Sequence, residues 1–224
     1  MSHLCYKFKS SSENEQRVIK YERTSNSAAT YTIESDQYND VVLPTASALI
    51  KTKKGRKPVR IFKDIGSQTS FVKADLLKLV NYETIRETNI HVSGINSKKT
   101  YKSKIVKFPI NVLGQGTQYI KAACLDNIST EFETPGLCKL ADRFKQKGYK
   151  LADDFTSDKV SDISILLGSD HSHLFPFTQI NFKACKDNNE SAIYQTPSGV
   201  MLSGSIADYN LNFDKLPNCT KNSK

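Results

Sequence analysis

One aspartate in this chain sits where a carboxylate could do chemistry. Asp64 opens the run Asp64-Ile65-Gly66-Ser67-Gln68 and follows an apolar-biased stretch, Val59-Arg60-Ile61-Phe62-Lys63. No other Asp-x-Gly occurs in the sequence. A strand that delivers an aspartate into a tight, Gly-containing turn can hold the carboxylate fixed and partly desolvated. Brought close to a second carboxylate, such an acid shares one proton, because two like charges at short range cannot both ionise. A pair of this kind can take a proton from water and give one to a carbonyl oxygen, which is the chemistry of amide hydrolysis. On its own the motif is equally a surface turn after a strand. What sharpens it is a second segment, Asp162-Ile163-Ser164-Ile165-Leu166-Leu167-Gly168-Ser169-Asp170. An apolar strand ending in Gly can pass beneath a turn and brace it.

Other reactive side chains form weaker patterns. His171-Ser172-His173 could put two metal ligands on one strand face, but no third ligand accompanies them, and exposed loop histidines are the simpler expectation. Cys124 lies in a strand pattern with no histidine placed to activate it, which reads as core. Ser67 is not in a G-x-S-x-G elbow. Gly114-Gln115-Gly116 lacks the rest of a phosphate-binding fingerprint and reads as a hairpin turn. Asp153-Asp154 reads as a solvated loop. No metal site and no cofactor are expected.

Composition bounds the setting. The chain has 224 residues, 38% of them hydrophobic, which suits one domain with a single core and polar tails. The five cysteines form no CxxC pair, and their odd, sparse set fits a reducing compartment. Residues 1–12 carry no apolar leader run, and no stretch approaches a membrane span. The expectation is an intracellular, cytoplasmic protein with no membrane contact. A net charge of +9 points to nucleic acid, though the lysines are scattered rather than stacked on one stripe, and the basic turn 53–57 could touch it, with a solvated hairpin tip the simpler expectation.

The elements that must position Asp64 read as short strands. Residues 1–38 are polar and linker-like. Residues 41–50 predict a strand with Pro44 near its start, residues 53–57 a basic turn, and residues 59–62 the returning strand of a hairpin. A short helix follows over 73–80, with Leu76, Leu77 and Val80 inward. Residues 90–106 predict a hairpin tipped by Gly94, which has the backbone freedom a tip requires. Strands are expected over 101–112, 119–125 and 163–167, and two extended segments over 191–205. Thr134 and Pro135 predict the start of a longer helix with Leu137, Leu140, Ala141 and Phe144 on one face, ended by Gly148. The fold class is mostly β, a barrel with one or two short helices.

The order of these parts resembles that of a retropepsin, the half-sized aspartic protease of retroviruses and retroelements. Val42-Leu43-Pro44-Thr45-Ala46, the Asp64–Phe71 run, Val92-Ser93-Gly94-Ile95, Leu151-Ala152-Asp153, Ile165–Asp170 and residues 196–204 look like the aspartic protease domain of BEL/Pao-type retrotransposon polyproteins. The resemblance implies a retropepsin-like domain over 39–206, between polar segments 1–38 and 207–224. It implies Asp64 as the catalytic residue in an active-site loop with Ile65, Gly66 and Ser67. Val92, Ser93, Gly94 and Ile95 take the place of the flap over a peptide or polyprotein substrate. Leu166, Leu167 and Gly168 take the place of the strand that braces the loop. It further implies a homodimer, because one chain brings one Asp-x-Gly and the reaction needs two carboxylates.

This chain departs from the family in places. Ile65 stands where the family has Ser or Thr, whose hydroxyl hydrogen-bonds across the dimer; isoleucine can neither donate nor accept. Lys63 stands where an apolar residue is usual, and Val200 where a tryptophan is. Two readings therefore stay open: an aspartic endopeptidase domain, or a catalytically impaired copy of the fold serving as a dimerisation or peptide-binding module.

Overall fold

The computed structural model describes residues 41–93, 98–128, 132–156, 158–160, 162–174, 178–179 and 192–205. Segments 1–38 and 207–224, and the hairpin-tip residues Gly94 and Ile95, lie outside the described residues.

Among the described residues thirteen strands and two α-helices follow in chain order. They are β1 (Val41–Val42), β2 (Thr45–Thr52), β3 (Gly55–Lys63), β4 (Phe71–Lys73), α1 (Ala74–Leu77), β5 (Glu83–Ser93), β6 (Lys98–Val112) and β7 (Gly116–Leu125). Then come β8 (Phe132–Glu133), α2 (Leu137–Gln146), β9 (Lys159–Val160), β10 (Ile163–Leu167), β11 (Thr178–Gln179), β12 (Ala192–Thr196) and β13 (Gly199–Ser205). The fold is mostly β, as the strand patterns predict. The expected first strand is broken at Leu43-Pro44 into β1 and β2, which enter different sheets. Proline has no amide to give a ladder, so the chain changes partner there.

The main sheet runs β2-β3-β10-β4-β7-β6-β5, and a β2–β6 pairing at Leu49↔Asn111 closes six of its strands into a barrel. Strand β5 hangs from β6 outside the closure. Alternate side chains fill the barrel: Ala46, Ala48 and Ile50 from β2, Val59 and Ile61 from β3, Phe108 and Ile110 from β6, Ile165 and Leu167 from β10. A six-stranded barrel is narrow enough for side chains alone to fill it. Phe71, Ile105, Ala123, Leu125 and Leu166, of opposite parity to the barrel-filling residues of their strands, build a second apolar cluster on the outer face together with Ile128 beyond β7 and Ile163, which lies across a register shift from Ile165; Phe62, Ile90, Val92 and Tyr101 pack against it. All five residues of β10 are buried, because β10 has core on both faces. That is why its sequence is a nearly unbroken apolar run rather than an alternation.

A second sheet, β1-β13-β12-β11, packs with α2 around Leu137, Leu140, Ala141 and Phe144. Gly148 takes φ +83 just past the helix end, and Tyr149 N–H returns to Phe144 O, a glycine stop of the kind the sequence predicts. The helix start differs from expectation. Thr134 does not cap it; its hydroxyl donates to Val41 O, 3.1 Å away. Instead the Asp158 carboxylate accepts Gly136 N–H at 3.0 Å and Cys138 N–H at 2.7 Å. Those two bonds hold the Asp158 carboxyl below its ordinary range. A residue from across the fold thus does what a local cap would do.

Candidate active site

The Asp64 turn is built by three strands. β3 delivers Asp64, β4 carries the chain away, and β10 lies between them. β10 runs parallel to β3 (Leu166↔Phe62, Leu167↔Lys63) and antiparallel to β4 (Leu166↔Phe71, Ile165↔Val72). Asp64 N–H donates to Leu167 O at 2.9 Å, so the aspartate is registered directly on the end of β10. Its Oδ1 accepts Gly66 N–H at 2.9 Å, which sets the carboxylate against its own turn. Asp64 is half-buried, and Ile65 is 74% exposed.

The chain after β10 supports the turn from beneath. Ser169 N–H donates to Ser67 O at 2.8 Å, and Ser169 Oγ donates to Ile65 O at 2.9 Å. Ser67 Oγ donates to Thr69 O at 2.8 Å. Gly168 explains itself by space: a Cβ there would stand 2.7 Å from Ser67 O and 2.9 Å from Thr69 O. No side chain fits between β10 and the loop it carries. Leu167 and Gly168 therefore lie against the turn, while Leu166 pairs with Phe62 of β3 and Phe71 of β4.

Behind the turn is a buried cluster that sequence reasoning missed. Ser70 is fully buried. Its hydroxyl donates to Asp170 Oδ1 at 2.6 Å, accepts Gly168 N–H at 3.0 Å and lies 2.9 Å from His171 Nδ1. Asp170 also accepts Ser70 N–H at 3.1 Å. His171 Nε2 accepts Lys121 N–H at 3.1 Å, so the ring proton belongs on Nδ1, facing Ser70 and Asp170. Partial burial pushes the Asp170 carboxyl up, but the bonds from the Ser70 hydroxyl and amide and from His171 outweigh this and hold it below the ordinary range. These are the residue types of a hydrolytic triad in the wrong arrangement. Serine and aspartate share one ring nitrogen, the other is occupied by an amide, and the serine has no access to solvent. The cluster is a brace joining β4, β7 and the 3-10 turn Ser169–His171. The expectation of exposed loop histidines is corrected for His171, which is 7% exposed; His173 is exposed.

The long hairpin β5–β6 leans on the same region. Val92 is half-buried and packs with Ile90 against the outer cluster that holds Phe62, Phe71 and Leu166, while Ser93 is exposed. Phe62 lies two residues before Asp64 and Leu166 two before Gly168, so this apolar surface borders the turn. Lys63 is buried where an apolar residue would pack, and burial pushes its ammonium pKa down.

Asp153 is not the solvated loop residue its sequence suggests. It is 3% exposed and accepts Thr45 Oγ1 at 2.6 Å, Ser47 Oγ at 2.8 Å and Arg60 Nε at 2.6 Å. Burial is tolerated because every lone pair is answered by a donor or a cation. This ties the 151–154 segment to β2 and β3; Asp154 stays exposed, 3.3 Å from Lys145. A cleft of about 320 Å³ lies beside it, lined by Ser47, Leu113, Tyr149, Asp153 and neighbours, with no residue of the 64–69 loop. Among the described residues no group of His, Cys, Asp and Glu could hold a metal ion, and no helix is long and apolar enough to cross a membrane. Compared with protein-family models, curated proteins and solved structures, the chain has no match.

Proposed function

We propose that this chain is a retropepsin-like aspartic endopeptidase domain of a retroelement polyprotein of BEL/Pao type, acting as a homodimer. The observation that carries the reading is the setting of Asp64. Its carboxylate is oriented by Gly66 N–H, and its turn is clamped onto the end of an inserted strand, β10, through Leu167 O and the Gly168 contact. Surface turns rarely receive such support, whereas a catalytic acid needs fixed geometry. The chain supplies one such turn, so the second carboxylate comes from a second copy.

In the dimer one Asp64 carboxylate is ionised and the other protonated. The ionised one takes a proton from a water molecule, whose oxygen attacks the peptide carbonyl carbon. The protonated one gives its proton to the carbonyl oxygen. On collapse of the tetrahedral adduct the aspartate that gave its proton takes one back from an adduct hydroxyl, and the other passes the proton it took from water to the leaving amine nitrogen as the C–N bond breaks. The half-buried side chains of Phe62, Ile90 and Val92, beside the turn, support substrates with large apolar side chains next to the scissile bond.

A second reading rests on Ile65. An exposed isoleucine stands where the family carries a dimer-locking hydroxyl, which favours a dimerising module without turnover. The backbone of the turn does not depend on that hydroxyl, since Ser169 holds the Ile65 carbonyl. Incubating the full chain and Asp64→Asn with an unbiased peptide library separates the readings. Cleavage by the wild type alone, falling on dilution, supports the peptidase; a stable dimer without cleavage supports the module; equal cleavage by both proteins removes Asp64 from the chemistry.

A further inference from the structure

The hairpin joining β2 to β3 carries Lys51, Lys53, Lys54, Arg56 and Lys57, and all five are exposed. None has an ion-pair partner among the described residues. Lys51 stands directly opposite Arg56 in the ladder. Like charges in directly opposed positions destabilise a strand pair. A solvated tip needs no such concentration, and this arrangement is self-repelling until an anion lies across it.

The tip is also rigid. Thr52 Oγ1 donates to Gly55 O at 2.8 Å and accepts Lys54 N–H at 3.1 Å, and Thr52 bridges to Val80 on the barrel. The cations are therefore presented from a fixed ribbon rather than a loose loop. With about 3.4 Å per residue along a strand and about 4.8 Å between strands, their stems fall within a ribbon roughly 10–15 Å long, with Lys51 and Arg56 on one face and Lys57, paired with Ile50, on the other. Duplex DNA carries one charge per ~1.7 Å of axis counting both strands, so a ribbon of that length lying in a groove can meet about five phosphates, shared between the two walls.

We infer that this basic ribbon is a binding surface for the phosphodiester backbone of nucleic acid, separate from the Asp64 site. A narrow two-stranded ribbon fits a duplex groove or a backbone track. Residues 51–57 include no aromatic and no large apolar side chain, so the ribbon has nothing to stack on bases and nothing to insert into a bilayer. The contact is to phosphates and is independent of sequence.

The test uses the full chain and a short fluorescein-labelled DNA duplex, followed by anisotropy across a salt series. Five phosphate contacts give a slope of about −4.5 in log K against log salt, a loss of roughly 500-fold between 50 and 200 mM. The variant Lys53→Gln/Lys54→Gln/Arg56→Gln removes three contacts, and its slope should flatten by about 2.7. A matched variant on the other hairpin, Lys98→Gln/Lys99→Gln/Lys102→Gln, loses the same charge and should keep the wild-type slope. Circular dichroism confirms that each protein is folded. The inference is overturned if the wild type does not bind at low salt, if the ribbon variant binds as wild type does, or if both variants weaken equally, which would make the effect one of net charge. Preferential binding to phosphatidylserine vesicles over the duplex would overturn it in favour of a membrane surface.

Discussion

Replacing Ser70 by alanine tests whether the buried cluster is what holds the Asp64 turn. The hydroxyl makes one bond to a carboxylate, Asp170, and receives one from the amide of Gly168. Hydrogen bonds to charged groups contribute about 1.5–3 kcal/mol, and a buried amide left without an acceptor costs a further ~1–3 kcal/mol. His171 Nδ1, 2.9 Å away, loses one of its two acceptors as well. Asp170 is partly open to solvent and water can replace part of its bond, so the lower end applies to that contact. The expected loss is about 3–4 kcal/mol. For a domain of this size 1 kcal/mol moves Tm by roughly 2–4 °C, so Tm should fall by about 6–16 °C. The sequence has no tryptophan, so far-UV circular dichroism in a urea series is the suitable probe. Ser67→Ala is the control, because its hydroxyl makes one exposed bond to Thr69 O and should cost under ~1 kcal/mol. If the turn is also the catalytic one, Ser70→Ala at a temperature where it remains folded should lower kcat more than it changes KM, since misplacing Asp64 affects the reacting pair. A Ser70→Ala protein as stable as the Ser67→Ala control would refute the bracing argument.

Three further outcomes are expected. If the proposed dimer packs the exposed Ile65 against its symmetry mate, Ile65→Thr should weaken it: that burial contributes about 1.5–3 kcal/mol per copy against about 1 for a hydroxyl bond, a net of about 1–4 kcal/mol over two copies, so sedimentation should show roughly a five- to thousandfold rise in Kd, and a tighter dimer would show instead that the missing hydroxyl limits pairing. Asp158 and Asp170 both have lowered carboxyl pKa values, so their contribution to stability is full above the ordinary aspartate value near ~3.9 and is lost as pH falls through the lower folded-state values. Melting curves should therefore drop steeply in that acid range and flatten in Asp158→Asn and Asp170→Asn; an unchanged acid limb in both variants would contradict the assignment. Asp153→Asn leaves Arg60 beside a neutral group in a mostly buried pair and should cost about 3 kcal/mol in urea unfolding, with a loss below ~1 kcal/mol counting against the network.

Much of the barrel is legible in the sequence. Strand alternation marked the barrel strands, the apolar run of residues 163–167 marked a buried strand, and Leu137, Leu140, Ala141 and Phe144 marked one face of α2. Gly148 marked its end. These are local signals, in which a residue's type and its spacing from neighbours determine which side faces the core. Asp64 as a candidate was legible for the same reason, since a strand, an aspartate and a glycine are adjacent in the chain.

The rest depended on which distant residues the fold brings together. Asp153-Asp154 is the same dipeptide whether solvated or not; only the approach of Thr45, Ser47 and Arg60 makes the first of them a buried hub. Thr134 looks like a helix cap, yet Val41 O claims its hydroxyl and Asp158 does the capping. His171 reads as a loop histidine until Ser70 and the Lys121 amide close around its ring. A polar side chain's partners can lie anywhere in the chain, so its burial and its protonation follow from tertiary contact. An apolar side chain needs only to be hidden, and the period of the sequence already says on which face.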